Sequence, residues 1–600
     1  MLSEKYKISA SDIVDIDIDS IIELSGQNAE CFNYFYSFNK RVKEATDVKT
    51  NGIFSCLCVI CLMHLTDDRN NPYGERNNYT LTLSSFDDSD IDIINNLIRC
   101  THAHDLLARL YDFLWLLKPS NKYEDGKSAI THYINSAANL INSSDNWVSG
   151  SYRLKRSFVI AKQLKEASEL DKIFHLFQEY AEPLLTSYFP LQIIEYLLDL
   201  RIIRSYSKEC TDLLTRCIES CKNTDIINHQ MISSYYELLY RVFNHLKKFE
   251  EVKKNKRLCA LSEINHSVAI TESGGEIVAS VMHLKMAVKL LKEIPEEKEL
   301  LDRTLKQLLE VQKKIPASLK PITIDMDTKR RDQFIKLLEN KDFYTACRIF
   351  FVSFRQIKMS EIELYVQNMQ NSIHSIFSGE IVNELGRTIG IRESSHSDSQ
   401  KAKIQDSYDY LHIYWQTQVN SILLPFLNYI NNDIMYSRLD IQRIVCNNPA
   451  IDEQSESLFI DGLCYGLSGD FSTALHLLIP QTEHMLRYLL NQRGISTTTL
   501  KNGIQDEIDI NVLLDRNQEY RLHLDTILSP ELTLDLEALL IAKGGANLRN
   551  RIAHGLVNYL EANNAPYSIY FVGLIFTVVF LGWVIQTQHE SKDTNSSEDI

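Results

Sequence analysis

Apolar residues recur at intervals of three and four along most of the chain, the spacing that places them on one face of a helix. Short polar breaks separate these stretches. The chain contains only 20 Gly and 12 Pro in 600 residues, whereas the two together make up about 12% of an average protein. Because few residues interrupt the helical pattern, the sequence predicts an all-α protein.

The polar breaks also predict how the chain is organised. Successive helical patterns in the first half are typical of a solenoid-like array, and the C-terminal part has the pattern of a helical bundle. The predicted segments are an N-terminal helical region (1–125), a helical array (126–316), a helical linker domain (328–455), a C-terminal bundle (456–586) and a disordered tail (587–600).

Residues 569–585 form an apolar run without a charged side chain. The run is at the short end of a membrane span, so a tail anchor is one interpretation. However, a helical bundle needs a closing helix at this position, and no Lys or Arg flanks the run closely. We therefore expect a buried helix of the bundle or of a dimer interface, and no binding to a membrane.

Composition limits the classes of function. The net charge of −16 argues against broad, sequence-independent binding of nucleic acid, which depends on many phosphate contacts, so any RNA contact must be local. Twelve cysteines without a signal peptide predict reduced thiols in a cytoplasmic protein. Cys56, Cys58 and Cys61 lie in an apolar run with no second pair at zinc-finger spacing, so we expect them in a core and predict no metal site.

Arg549, Asn550 and His554 are the one group of residues whose spacing indicates chemistry. A Gly pair precedes them and Asn547 is a suitable N-cap, so a helix is predicted to begin at Leu548. Asn550 and His554 would then lie on one face, where the amide can hydrogen-bond the imidazole. Arg549 would lie in the first turn, where a helix favours anions, and its guanidinium suits a phosphate. Alternatively, these residues only hold the bundle together.

Glu483 and Arg487 form a polar stripe on an otherwise apolar predicted helix upstream of this motif. One interpretation is that they orient Arg549 or His554. The other is a buried ion pair that satisfies itself. A polar insertion from Ser496 to Asp509 follows this helix.

The Arg-Asn-x-x-x-His pattern resembles the motif of the HEPN superfamily, small helical domains that are often metal-independent ribonucleases in toxin and antiphage systems. Together with the stretch from Gly469 to Glu483, Arg487 and Gly494, it resembles a bacterial family of large proteins with a HEPN-like C-terminal domain. The resemblance covers about residues 440–585 and is fainter near the N-terminus.

This resemblance implies a metal-independent endoribonuclease in antiphage defence or growth arrest. In that activity His554 would be the general acid or base, Arg549 would stabilise charge on the phosphate, and Asn550 would orient His554. The resemblance also implies a homodimer, and it requires no metal or cofactor.

A non-catalytic interaction protein is the alternative. In it the helical array would bind a protein partner, and the HEPN-like domain would mediate dimerisation or bind a nucleotide. The acidic charge and the lack of an obvious basic groove favour this alternative. A membrane-anchored scaffold is a third interpretation, and it depends on residues 569–585 alone.

Overall fold

The computed structural model describes the chain except residues 1–4, 14–15, 27–28, 67, 69–71, 75–85, 87, 118–122, 142–146, 320–327, 384, 435, 502 and 598–600. It confirms the predicted all-α architecture, since helices dominate and the strands of the described residues form only short two-stranded hairpins. The chain divides into two compact units, which we call unit 1 (Met1–Gln312) and unit 2 (Lys313–Ile600). The finer division into five segments stays a prediction.

Unit 1 is a succession of helices in which each packs mainly against its neighbours in the chain, for example α5 on α6 and α12 on α13. This is the packing expected of a helical array. A hairpin of β1 (His64–Leu65) and β2 (Tyr73–Gly74) follows α3. The helices are α1 Ile18–Glu23, α2 Cys31–Glu44, α3 Val48–Leu62, α4 Asp88–Arg99, α5 His104–Leu117, α6 Tyr123–Ile141, α7 Trp147–Leu164, α8 Ala167–Ala181, α9 Phe189–Asp199, α10 Ser207–Lys222, α11 His229–His245, α12 Phe249–Glu272, α13 Ile277–Lys292 and α14 Lys298–Gln312.

Unit 2 is a helical bundle with two hairpins, β3 (Gly379–Val382) with β4 (Thr388–Arg392) and β5 (Thr498–Lys501) with β6 (Ile504–Glu507). A π-helical turn at Val419–Leu423 joins α19 to α20. The helices are α15 Ile315–Ser318, α16 Thr328–Leu338, α17 Phe343–Ser353, α18 Met359–Gln370, α19 Ser399–Gln418, α20 Leu424–Asn432, α21 Arg438–Val445, α22 Glu456–Leu467, α23 Phe471–Gln492, α24 Ile510–Leu513, α25 Glu519–Ile527, α26 Pro530–Leu540, α27 Leu548–Ala553, α28 Tyr559–Asn564 and α29 Pro566–Ser597.

Helix α29 contains the apolar run and lies in the core of unit 2. The stretch Pro566–Gln588 is long and apolar enough to cross a membrane by length and composition, and 67% of its most apolar window is buried within the structure. Phe576 is fully buried, with its ring centroid 5.9 Å from that of Phe350 and 6.1 Å from that of Phe426. The same helix continues to Ser597, through most of the segment predicted as a disordered tail, because no Gly or Pro follows Gly582 to stop it.

Candidate functional site

The loop between α26 and α27 packs closely against Ala538 of α26, and this contact fixes where the motif begins. A Cβ atom added to Gly545 would lie 2.1 Å from the carbonyl oxygen of Ala538, so only glycine fits there. The N–H of Ala546 donates to that same carbonyl oxygen at 2.9 Å. Helix α27 then begins at Leu548, which is fully buried, and this confirms the predicted start.

Asn547 occupies the N-cap position of α27 but does not cap the helix with its side chain. Its backbone is left-handed, with φ at +49°, and its Oδ1 accepts a hydrogen bond from Nδ2 of Asn550 at 2.8 Å. The amide of Asn550 is therefore held by Asn547. Its own oxygen accepts from Nη1 of Arg549 at 3.3 Å.

The expected hydrogen bond between the side chains of Asn550 and His554 is absent from the described residues, so that prediction was wrong. Helix α27 has only six residues, and His554 is its C-cap, whose backbone N–H donates to the carbonyl of Asn550 at 3.1 Å. Gly555 follows with φ at +64°, a left-handed conformation that ends helices. The imidazole of His554 lies exposed at the end of the helix.

Arg549 is bound by two carboxylates. Its Nη2 lies 2.9 Å from Oδ2 of Asp509, and its Nε lies 3.5 Å from Oε2 of Glu483. The Arg549 side chain is 29% exposed, so one side of it faces solvent. A phosphate that binds this guanidinium must compete with Asp509, which neutralises it from the protein side.

Glu483 and Arg487, the polar stripe on α23, contact each other and Arg549. Glu483 pairs with Arg487 through Oε1 and with Arg549 through Oε2, and its side chain is only 13% exposed. Arg487 also donates from Nε to the carbonyl of Ile508 at 3.0 Å, which ties α23 to the end of the β5–β6 hairpin. The pair therefore satisfies itself and supports Arg549 as well.

Asp509 is a site residue that the sequence analysis missed. It follows the β5–β6 hairpin, which forms most of the predicted polar insertion, and it caps α24 because its Oδ1 accepts from the N–H of Asn511 at 2.7 Å. An Asp before a short apolar stretch is a recognisable N-cap signal. Its contact with Arg549, 40 positions later, could not be recognised in that signal.

Arg551 forms a shielded ion pair with Glu561. Its Nη2 lies 2.6 Å from Oε1 of Glu561, and the two side chains are 17% and 13% exposed. The hydroxyl of Tyr567 donates to the same carboxylate oxygen. Burial, followed by this hydrogen bond, raises the pKa of Tyr567 to about 12. These contacts connect α27 to α28 and α29.

A buried carboxylate in α26 anchors the helix that leads to the motif. Asp535 is fully buried, and its two oxygens accept from Nε1 of Trp415 and from the hydroxyl of Tyr570, both at 2.6 Å. Burial raises the pKa of Asp535 to about 6. Because these partners belong to α19 and α29, the carboxylate joins three helices of the bundle.

The surface beside His554 is apolar. Leu556, Tyr559 and Leu560 are 58%, 70% and 71% exposed and follow the motif directly. Among the described residues no group of three or more His, Cys, Asp or Glu could hold a metal ion. The imidazole of His554 can transfer protons, and the guanidinium of Arg549 can stabilise negative charge.

Comparison with known proteins adds information on unit 1 alone. No curated protein matches the chain. Residues 3–173 match the model of a family described as a domain of unknown function (DUF7380). The match lies within unit 1 and does not include the motif at residues 549–554.

Proposed function

We propose that the protein is a metal-independent endoribonuclease of the HEPN type that acts in the cytoplasm in antiphage defence or growth arrest. The observation that carries this proposal is the placement of Arg549 and His554 at the two ends of one short helix, α27, with Arg549 supported by Glu483 and His554 open to solvent. An anion-binding cation and an accessible imidazole are the groups that the reaction requires.

In the proposed reaction His554 accepts the proton of a ribose 2′-hydroxyl. The 2′-oxygen attacks the phosphorus, the bond from phosphorus to the 5′-oxygen breaks, and the leaving 5′-oxygen takes a proton from water, while His554 later returns its proton to solvent. The products are a 2′,3′-cyclic phosphate and a 5′-hydroxyl. Acid–base catalysis by His554 would contribute about 10²–10⁴-fold, and Arg549 would stabilise the charge on the phosphate.

A second copy of the chain is part of this proposal. The resemblance to HEPN proteins implies that two motifs line one cleft, and the exposed side chains of Leu556, Tyr559 and Leu560 border the motif. Apolar residues at such exposure are typical of protein interfaces. We place RNA in the same cleft, in a local contact.

A non-catalytic interaction protein is the second candidate function. Two observations favour it: Arg549 is already neutralised by Asp509 and Glu483, and Asn550 does not orient His554. In this case α27 would stabilise unit 2, and the helical array of unit 1 would bind a protein partner.

Cleavage of total cellular RNA by the purified full-length protein in EDTA separates the two candidates. We expect fragments that end in a 2′,3′-cyclic phosphate, and we expect His554→Ala to abolish them without lowering the melting temperature, because the imidazole is exposed. His523→Ala changes another partly exposed histidine of unit 2 and is the matched control.

Two outcomes would contradict the proposal. If the protein cleaves no RNA, including in the presence of infected-cell extract, the interaction protein is the better description. If His554→Ala and His523→Ala cleave equally well, the active site lies elsewhere in the chain.

A further inference from the structure

Arg109 of α5 is a buried cation in unit 1, only 4% exposed. Its Nη1 donates to the carbonyl oxygens of Ile60 at 2.7 Å, Cys61 at 3.1 Å and Met63. These carbonyls belong to the C-terminal end of α3, where a helix leaves its carbonyl groups unpaired. One nitrogen of the guanidinium therefore caps a helix.

The carboxylates around Arg109 are bonded to other arginines. Asp105 accepts a hydrogen bond from Nε of Arg153 at 2.9 Å, and Asp112 accepts one from Nη2 of Arg156 at 2.7 Å. Glu30 pairs with Arg153 at 2.7 Å. Within the described part of the chain no carboxylate lies within 4.0 Å of the Arg109 guanidinium.

Among the described residues, the positive charge of Arg109 is stabilised by the partial negative charge at the end of α3, by Coulomb attraction to Asp105, and by the ring of Tyr73, whose centroid lies 5.8 Å away. An arginine cannot lose its proton in response, and a buried charge that no carboxylate contacts directly is costly. A counter-ion from outside the chain would lower that cost.

A cavity of about 160 Å³ lies beside this guanidinium. Its walls include Arg109, Arg153, Glu30, His64, Ser149 and Tyr152. The Nε and Nη2 atoms of Arg109 make no hydrogen bond to a described residue. This pair of atoms is the edge of a guanidinium that binds two oxygens at once.

We propose that this cavity binds one small oxyanion, a carboxylate or a phosphate group, on the Nε and Nη2 edge of Arg109. The volume is below the roughly 300–1,000 Å³ of sites for drug-sized ligands, so the cavity suits the anionic group itself or a very small molecule. All its lining residues lie within the segment that matches the family of unknown function. This site is separate from the proposed ribonuclease activity of unit 2.

Isothermal titration of the full-length protein with sodium acetate and, separately, sodium phosphate tests the site at constant ionic strength. We expect saturable binding at one site per chain for at least one of the anions, and the tighter anion identifies the preferred group. Arg109→Lys keeps the charge and a donor for the α3 carbonyls but lacks the two-atom edge, so we expect at least tenfold weaker binding. Arg216→Lys makes the same change at an exposed pair with Glu182 and should bind like the wild type.

The absence of saturable binding by the wild type with both anions would overturn the proposal, and so would equal affinity of Arg109→Lys and Arg216→Lys. Circular dichroism shows whether Arg109→Lys is folded. If Arg109→Lys is not folded, Ser149→Val is the variant that tests the site, because it places methyl groups in the cavity without removing the α3 cap. We expect at least tenfold weaker binding from Ser149→Val, and unchanged affinity would count against the site.

Discussion

At the scale of single residues, the ion pair of Asp509 with Arg549 bears on the proposed binding of RNA, because a phosphate would compete with this carboxylate. The two side chains are 44% and 29% exposed. A pair in such a position contributes about 0.2–1 kcal/mol because water screens it. In the proposed function, RNA would displace this contact at a small cost in affinity.

Asp509→Asn should bind RNA about 1.4- to 5-fold more tightly than the wild type, the factor that corresponds to a pair of this strength. Asparagine keeps an oxygen for the cap on the N–H of Asn511 and removes only the charge. Fluorescence anisotropy with a 2′-O-methyl RNA oligonucleotide measures binding without cleavage.

Asp515→Asn is the matched control for Asp509→Asn, because Asp515 accepts a similar backbone hydrogen bond, from Asn517 at 3.0 Å, and forms no ion pair with Arg549. Equal affinities of the two variants would show that Asp509 does not limit access to Arg549.

Asp535 gives unit 2 a pH dependence whose sign is fixed by its raised pKa. The folded protein keeps this proton up to about pH 6, whereas the unfolded chain loses it near 3.9. The stability that comes from the protonated carboxyl is therefore complete below about pH 4 and is lost as the pH rises through 6.

Asp535→Asn should remove that loss, because its amide bears no charge and still has an oxygen for Nε1 of Trp415. We expect the variant to gain on the order of 2–3 kcal/mol relative to the wild type between pH 4 and pH 7. Urea unfolding at several pH values measures the difference. Asp406→Asn is the control variant. It removes the charge of the buried partner of Arg392 and should destabilise the protein at every pH between 4 and 7. A constant difference between Asp535→Asn and the wild type would contradict the expectation.

The sequence predicted some of these residue contacts and not others, for physical reasons. The start of α27 followed from a local signal, a residue suited to the N-cap position. Glu483, which contacts Arg549, was visible in the sequence as part of a polar stripe at helical spacing, and its role in a reaction stays a prediction. The relation between Asn550 and His554 depended on the length of α27, which the left-handed Gly555 limits to six residues. The contact of Asp509 with Arg549 is a tertiary one that no periodicity reports.

At the scale of elements, the loop between α26 and α27 is the segment on which the geometry of the motif depends. Two adjacent glycines in it are constrained differently. A Cβ on Gly545 would meet the backbone oxygen of Ala538, whereas a Cβ on Gly544 would meet the side-chain amide of Gln405. A side-chain end can move more easily than a backbone.

Gly545→Ala should therefore lower the melting temperature of unit 2 more than Gly544→Ala, although each adds one methyl group. We expect a cost of about 1–3 kcal/mol for Gly545→Ala, as for other overpacked sites, and less for Gly544→Ala. Thermal unfolding followed by circular dichroism makes the comparison. The same order should appear in RNA cleavage, and a larger effect of Gly544→Ala would place the constraint on Gln405.

The elements themselves were predictable to different degrees. The helices followed from the spacing of apolar residues, and the sequence also indicated the burial of residues 569–585 inside a bundle. The β5–β6 hairpin lies in a stretch that is polar and contains a glycine, where composition predicts an insertion but not the pairing of Thr498 with Glu507. Short hairpins of this kind leave no apolar alternation to detect.

At the scale of the whole molecule, the stability of unit 2 depends on α29. Phe576→Ala removes a fully buried ring that packs among Phe350, Phe426 and Phe580. We expect a loss of about 3–5 kcal/mol. Because the chain divides into two units, the thermal transition whose midpoint falls in Phe576→Ala is the unfolding of unit 2.

Leu581→Ala, at a position of the same helix that is 44% exposed, is the control for Phe576→Ala and should change stability by less than about 1 kcal/mol. Fractionation of cells that express the wild type completes this test, since a helix whose apolar side chains are used in a core should leave the protein in the supernatant. Recovery in the membrane fraction, together with similar melting temperatures for the two variants, would favour a tail anchor.

The position of α29 in the chain has a consequence for the synthesis of the protein. This helix follows every element against which it packs, and its Phe576 meets Phe350 of α17 across most of unit 2. At ordinary rates of translation, the ribosome adds Phe576 on the order of tens of seconds after Phe350. During this interval the apolar faces of α17, α19 and α23 have no closing partner. We therefore expect nascent unit 2 to require chaperones. We also expect Arg549 and His554 to reach their final arrangement only after the ribosome has synthesised α29.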